Sequence, residues 1–212
     1  MNKENIKIGA FISIPKCASK TILSMFELGR NRDDDGYATE NNYIIFENHQ
    51  RLICLENKYK NVYNFNDLYT FTFVRNPYDR IISWYYYHSR LEPYKNYTLN
   101  DWVKNGCKVH WRVQNMTNWN EINKSPLLQY NFIEGNKNID FIGKMENFEE
   151  DCKKLIDILN NIFINRNICK TITYSSKIHN KTEQNKEEIT DESKRIIYKM
   201  FKKDFEYFGY EE

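Results

Sequence analysis

Two lysines and two hydroxyl-bearing residues crowd the stretch Ile14-Pro15-Lys16-Cys17-Ala18-Ser19-Lys20-Thr21. Cations and hydroxyl donors at this density suit an anion with several oxygens, because charge-assisted hydrogen bonds are about twice as strong as neutral ones. A second set follows further along, where Arg75 precedes Ser83 by eight residues. An arginine fork and a hydroxyl together can grip one phosphate. Two separate grips point to a ligand with two separated phosphates.

The flanking sequence supplies elements that position both sets. The apolar run Ile8 to Ile14 reads as a buried strand, and ILSMFELG after the loop has helical spacing and a stop at Gly29. Strand, polar loop and helix form a phosphate-holding unit in which backbone N–H groups and the helix N-terminus face the anion. Leu68 to Val74 is β-branched and aromatic, and it runs into Arg75-Asn76-Pro77-Tyr78-Asp79-Arg80. There Asn76 suits the N-cap, Pro77 the first helical position and Asp79 the first turn. A helix from Pro77 places Ser83 about two turns in.

Shorter signals complete the pattern. Tyr43 to Phe46 and Asp140 to Gly143 read as short strands, and Asn31 to Gly36 as a polar break. Phe148, Cys152, Leu155, Leu159 and Ile162 step at helical spacing. Thr190 caps a last helix that has Asp191 and Glu192 in its first turn and turns Ile197, Met200, Phe201, Phe205 and Phe208 inward. Tyr94 to Ser125 is an aromatic excursion without a clean period, and Ile168 to Lys186 is basic and loop-like. Strands alternating with helices predict an α/β fold, a P-loop-like parallel β-sheet flanked by helices on both faces, with ligands at the carboxyl ends of the strands. The 212 residues predict a single domain over 1–212.

Composition narrows the partners. A net charge of +2 gives no global field toward nucleic acid or a membrane, so neither is expected as a partner. The five cysteines are scattered, with no C-x-x-C pair and no His/Cys zinc spacing, which favours a reducing compartment. No signal peptide and no apolar run of bilayer length are present, and the expected location is the cytoplasm. No acidic or His/Cys cluster suggests a metal, and none is expected.

These residues carry a resemblance. IPKCASKT resembles the IPKCAGTS-type loop of sulfotransferases, and FTFVRNPYDRIISWY their FVRNPYDR-x-x-S-x-Y segment; the carbohydrate sulfotransferases are the most similar. DFIGKMENFEEDCKKL and KKDFEYFGY resemble two further stretches of that family in the same order. The resemblance implies a donor, 3′-phosphoadenosine 5′-phosphosulfate (PAPS), whose product is PAP, and an acceptor hydroxyl, by similarity on a glycan. It implies that Lys16, Cys17, Ala18, Ser19, Lys20 and Thr21 bind the 5′-phosphosulfate, and that Arg75 and Ser83 bind the 3′-phosphate. It implies a histidine base, for which His49 is the only histidine between the two segments. His88, His110 and His179 are assigned to structure or to the acceptor side. In the basic stretch Ser175 to Thr182, Lys181 and Thr182 would close over the donor's phosphates. Ser19 stands where the family has Gly, and Lys20 where it has Thr; serine is sterically costly at positive φ.

Sulfuryl transfer resembles phosphoryl transfer, an in-line displacement dominated by positioning and electrostatics. Lys16 would stabilise the departing phosphate and neutral His49 would take the acceptor's proton. One alternative is a P-loop kinase or NTPase, since Ser19-Lys20-Thr21 imitates G-K-[ST], although Ile14 holds the place of the opening Gly. Another is a catalytically inactive sulfotransferase-like binding module. Tyr85, Tyr86 and Tyr87 are expected to pack the helix after Pro77 against the sheet. Trp102, Trp111 and Trp119 read equally as sugar-stacking residues or as core.

Overall fold

A computed structural model describes residues 6–26, 31–33, 36–38, 43–90, 94–108, 127–176 and 187–212. In chain order the elements are β1 (Gly9–Ile12), α1 (Ser19–Met25), β2 (Asn31–Asp33), β3 (Gly36–Ala38), β4 (Ile44–Glu47) and α2 (Leu52–Tyr59). Then follow β5 (Tyr69–Val74), α3 (Pro77–His88), α4 (Leu99–Lys104), β6 (Phe141–Lys144), α5 (Phe148–Asn165) and α6 (Asp191–Phe208). The chain forms two compact units. One comprises residues 1–74 and 132–181, the other 75–131 and 182–212.

The first unit holds a parallel sheet of order β4-β1-β5-β6. The chain moves from β1 to β4 on one side, then back past β1 to β5 on the other. Right-handed crossovers therefore put the two connections on opposite faces. Side-chain contacts agree. Phe46, Phe11, Phe71 and Phe141 are register partners along one row, and Phe11 stacks on Phe46 at 5.8 Å and on Phe71 at 5.3 Å. Phe26, just past α1, meets Phe71 at 5.7 Å on that face. Glu47, one residue beyond Phe46, points the other way and accepts a 2.8 Å hydrogen bond from the Tyr59 hydroxyl of α2. Helices thus flank both faces, as the alternating pattern predicts. Burying each large apolar side chain of this core contributes about 1.5–3 kcal/mol.

Gly9 allows the tight centre of the sheet, since a Cβ there would stand 2.7 Å from the Tyr69 carbonyl oxygen. On α5 the buried stripe is Cys152, Leu155, Ile156, Leu159 and Phe163, so the deepest position near the end belongs to Phe163 instead of Ile162. Asn31 to Gly36, read from sequence as a polar break, instead holds β2 and the start of β3, which pair antiparallel. Helices α2 and α4 had no clear periodic signal, being only eight and six residues long.

The second unit is helical. Ile81, Trp84 and Tyr85 of α3 pack with Leu99, Trp102 and Val103 of α4 and with Ile197, Phe201 and Phe205 of α6. Tyr85 therefore packs against helices of its own unit, while Tyr87 is 52% exposed. Trp102 is core: it is buried, and its indole N–H donates to the Lys108 carbonyl at 2.8 Å. Met200 is 40% exposed, contrary to the inward assignment. It lies at the edge of the α6 stripe, whose middle is occupied by buried Asp204. The caps match the sequence reading. Asn76 Oδ1 accepts from the Tyr78 N–H at 2.9 Å with Pro77 at the first position, and Thr190 Oγ1 accepts from the Ser193 N–H at 3.2 Å. Gly209, at φ 64°, closes α6 in the left-handed conformation. The Gly29 stop, Trp111 and Trp119 lie outside the described residues.

Candidate functional site

β1 ends at Ile12, and Ser13 opens the loop into α1. Lys16 and Ala18 both take left-handed φ values, 69° and 57°. Such conformations in residues other than glycine cost on the order of 1–3 kcal/mol each, and the surroundings must enforce them. Here Cys17 N–H donates to the Ile14 carbonyl at 3.3 Å, and Thr21 N–H to the Ala18 carbonyl at 2.9 Å. Ser19 is the first residue of α1. The positive φ values fall on Lys16 and Ala18, so the serine in place of glycine meets no steric penalty from the backbone. Cys17 and Thr21 are buried, Lys16, Ala18 and Ser19 half-buried, and Lys20 exposed.

His49 joins this loop. The register pairs Ile12 with Glu47, so the residues just past β1 and β4 emerge side by side. His49 Nδ1 lies 3.0 Å from the Ser13 carbonyl oxygen and 3.3 Å from Ser13 Oγ. A carbonyl oxygen only accepts, so Nδ1 carries a hydrogen, which in the neutral ring leaves the lone pair on Nε2. The hydroxyls continue in the same sense. Ser13 Oγ donates to Ser19 Oγ at 2.9 Å, and Ser19 Oγ donates to the Ile14 carbonyl at 3.2 Å. Each donor is used once and the chain ends on a carbonyl. His49 itself sits at φ 55°, another enforced conformation.

In the second unit, Arg75 is half-buried and immediately precedes Asn76 and α3. Ser83 is half-buried and seven residues beyond Asn76, which returns it to the same side of the helix after two turns. Gln129, fully buried, holds the Arg75 backbone at both ends. The Arg75 N–H donates to Gln129 Oε1 at 2.9 Å, and Gln129 Nε2 donates to the Arg75 carbonyl at 2.8 Å. The Gln129 and Tyr130 N–H groups in turn donate to the two oxygens of Asp204, each at 2.8 Å. Burial pushes the Asp204 carboxyl above its usual range, against the pull of the Arg80 guanidinium and these N–H donors. Arg80 is buried too, and its Nη1 donates to the Leu127 carbonyl.

Sequence reasoning did not single out Ser13, Gln129, Asp204 or Arg80. Asp204 had a legible signal, a carboxylate in the middle of an apolar helical stripe. Gln129 had none. His88 is fully buried and stacks on Trp84 at 5.2 Å, which makes it structural. His110, His179, Lys181 and Thr182 lie outside the described residues. Among the described residues no group of His, Cys, Asp and Glu is arranged to hold a metal, and no helix is long and apolar enough to cross a membrane.

The chain belongs to the sulfotransferase family, which it matches over residues 7–211, and sulfuryl transfer is the chemistry of that family. The kinase and inactive-module alternatives are not favoured by this match. A protein of Archaeoglobus fulgidus described as uncharacterized is 32% identical over 92 residues, 43% of this chain and 68% of the archaeal one.

Proposed function

We propose that the protein transfers the sulfuryl group of PAPS to an acceptor hydroxyl, on a carbohydrate, in a reducing cytoplasmic setting and without a metal. The observation that carries this reading is the single family match from residue 7 to residue 211, which runs through both anion-gripping segments. That one match also supports treating the two units as one catalytic domain.

In this reading the loop Lys16 to Thr21 takes the 5′-phosphosulfate, and Arg75 with Ser83 takes the 3′-phosphate. Lys181 and Thr182 add contacts to the donor's phosphates. The acceptor oxygen attacks sulfur in line as the bond from sulfur to the bridging oxygen breaks. PAP departs with that oxygen's developing charge, which the Lys16 ammonium offsets. The acceptor proton passes to Nε2 of His49, the ring atom that carries the lone pair in the tautomer set by Ser13. The likeness of the IPKCASKT loop and the RNPYDR segment to carbohydrate sulfotransferases supports a glycan acceptor.

Transfer from labelled PAPS to a panel of glycans, tyrosyl peptides and small alcohols tests the reaction and its acceptor together. Label should appear in a glycan. Absence of transfer to every acceptor, with PAP bound no better than AMP, would refute the reading.

A further inference from the structure

We infer that Gln129 and Asp204 are positioning residues for the donor's 3′-phosphate, acting through the backbone of Arg75. The inference rests on the assignment of Arg75 and Ser83 to that phosphate. Arg75 follows directly on the last residue of β5, where the ladder that holds Tyr69 to Val74 ends. A side-chain amide takes over there, and Gln129 bonds the N–H and the carbonyl of Arg75 as a neighbouring strand would. One residue is thereby fixed at both of its peptide groups.

Gln129 is itself held in place. Its N–H and that of Tyr130 share the Asp204 carboxylate, and Leu127, two residues before it, accepts from Arg80 of α3. The segment Leu127 to Tyr130 is therefore tied to α6 on one side and to α3 on the other. Gln129, Asp204 and Arg80 are each at most 1% exposed, and buried groups of this kind are held stiffly because any slack leaves a polar atom unsatisfied. The helix carrying Ser83 and the backbone carrying Arg75 are thus set by one network. Arginine reads phosphate through a planar fork whose value depends on angle as well as distance.

PAP and AMP differ only in the 3′-phosphate, so the ratio of their affinities isolates this contact. Calorimetry on the full chain should show PAP bound far more tightly than AMP, and Arg75→Ala should abolish most of that preference. Gln129→Met, which keeps bulk but loses both bonds, should lower the PAP:AMP ratio about tenfold to a hundredfold, the scale of an ångström-sized misplacement. AMP affinity should stay within about twofold, which a merely structural weakening would not achieve. Gln129→Glu retains the acceptor for the Arg75 N–H and should fall between wild type and Gln129→Met, and Asp204→Asn should fall there as well. If Gln129→Met does not fold, the isosteric Gln129→Glu and Asp204→Asn decide. Unchanged ratios in the folded variants, beside a collapsed ratio in Arg75→Ala, overturn the positioning role and leave the Arg75 assignment standing. An unchanged ratio in Arg75→Ala overturns both.

Discussion

Replacing His49 tests the proposed mechanism at its most specific point. The Ser13 carbonyl, 3.0 Å from Nδ1, sets the tautomer that leaves the lone pair of the neutral ring on Nε2. A positioned base contributes about 10²–10⁴-fold to rate, or about 2.7–5.4 kcal/mol of transition-state stabilisation. The choice of variant matters, because residue 49 has φ 55°. Alanine is strained in that conformation, whereas asparagine tolerates it. His49→Asn should therefore keep the melting temperature close to wild type and still lose about 10²–10⁴-fold in kcat. PAP affinity should be unchanged, since the ring serves the acceptor and not the donor. The wild-type rate should fall on the acid side as Nε2 takes a proton, and that acid limb should vanish in His49→Asn. Single-turnover sulfuryl transfer with saturating PAPS, followed across pH, measures the rates, and thermal denaturation and PAP calorimetry measure the other two quantities. A folded His49→Asn that retains most of its turnover would refute the assignment of the base, while donor binding would be unaffected.

Two further predictions concern the first unit away from the site. Buried Glu56 accepts from the N–H groups of Asn136 at 2.8 Å and Lys137 at 3.0 Å, so Glu56→Ala should destabilise the protein by about 2–3 kcal/mol in urea denaturation. Asp140 is pushed up by partial burial, but bonds from Lys137 and Thr70 outweigh this and hold its carboxyl below the usual value of 3.8. A depressed carboxyl stabilises the fold above the unfolded value and loses that contribution as pH falls through the folded one. Asp140→Asn should therefore cost about 1 kcal/mol at pH 6, a modest figure because the group is exposed, and the gap between the two urea midpoints should narrow below about pH 4.

Much of the scaffold was legible because its causes are local. β1, β5 and β6 are short β-branched or aromatic runs, and each begins or ends within a few residues of the expected place. The caps at Asn76 and Thr190 depend on a side chain reaching an N–H two or three residues away, which spacing alone reveals. The loop from Lys16 to Thr21 and the Arg75 segment were placed for the same reason, as charged residues at the ends of recognisable strands. Helices α2 and α4 were not, since a one- or two-turn helix leaves too few repeats for a period to show.

The sequence by itself determined the strands β1, β4, β5 and β6 and the capped starts of α3 and α6, because each follows from neighbours along the chain. Tertiary structure alone decided which backbone angles the loop adopts, moving the strained positions to Lys16 and Ala18 and sparing Ser19. It also decided that Ser13 meets His49 across 36 positions, Gln129 meets Arg75 across 54 and Asp204 meets Gln129 across 75. The physical reason is strand order and helix packing. Ser13 reaches His49 only because β4 pairs with β1 in parallel register. Gln129 reaches Arg75 only because buried Asp204 and Arg80 hold its segment between α6 and α3. Contacts of that range depend on the balance of the whole core, to which no local spacing corresponds.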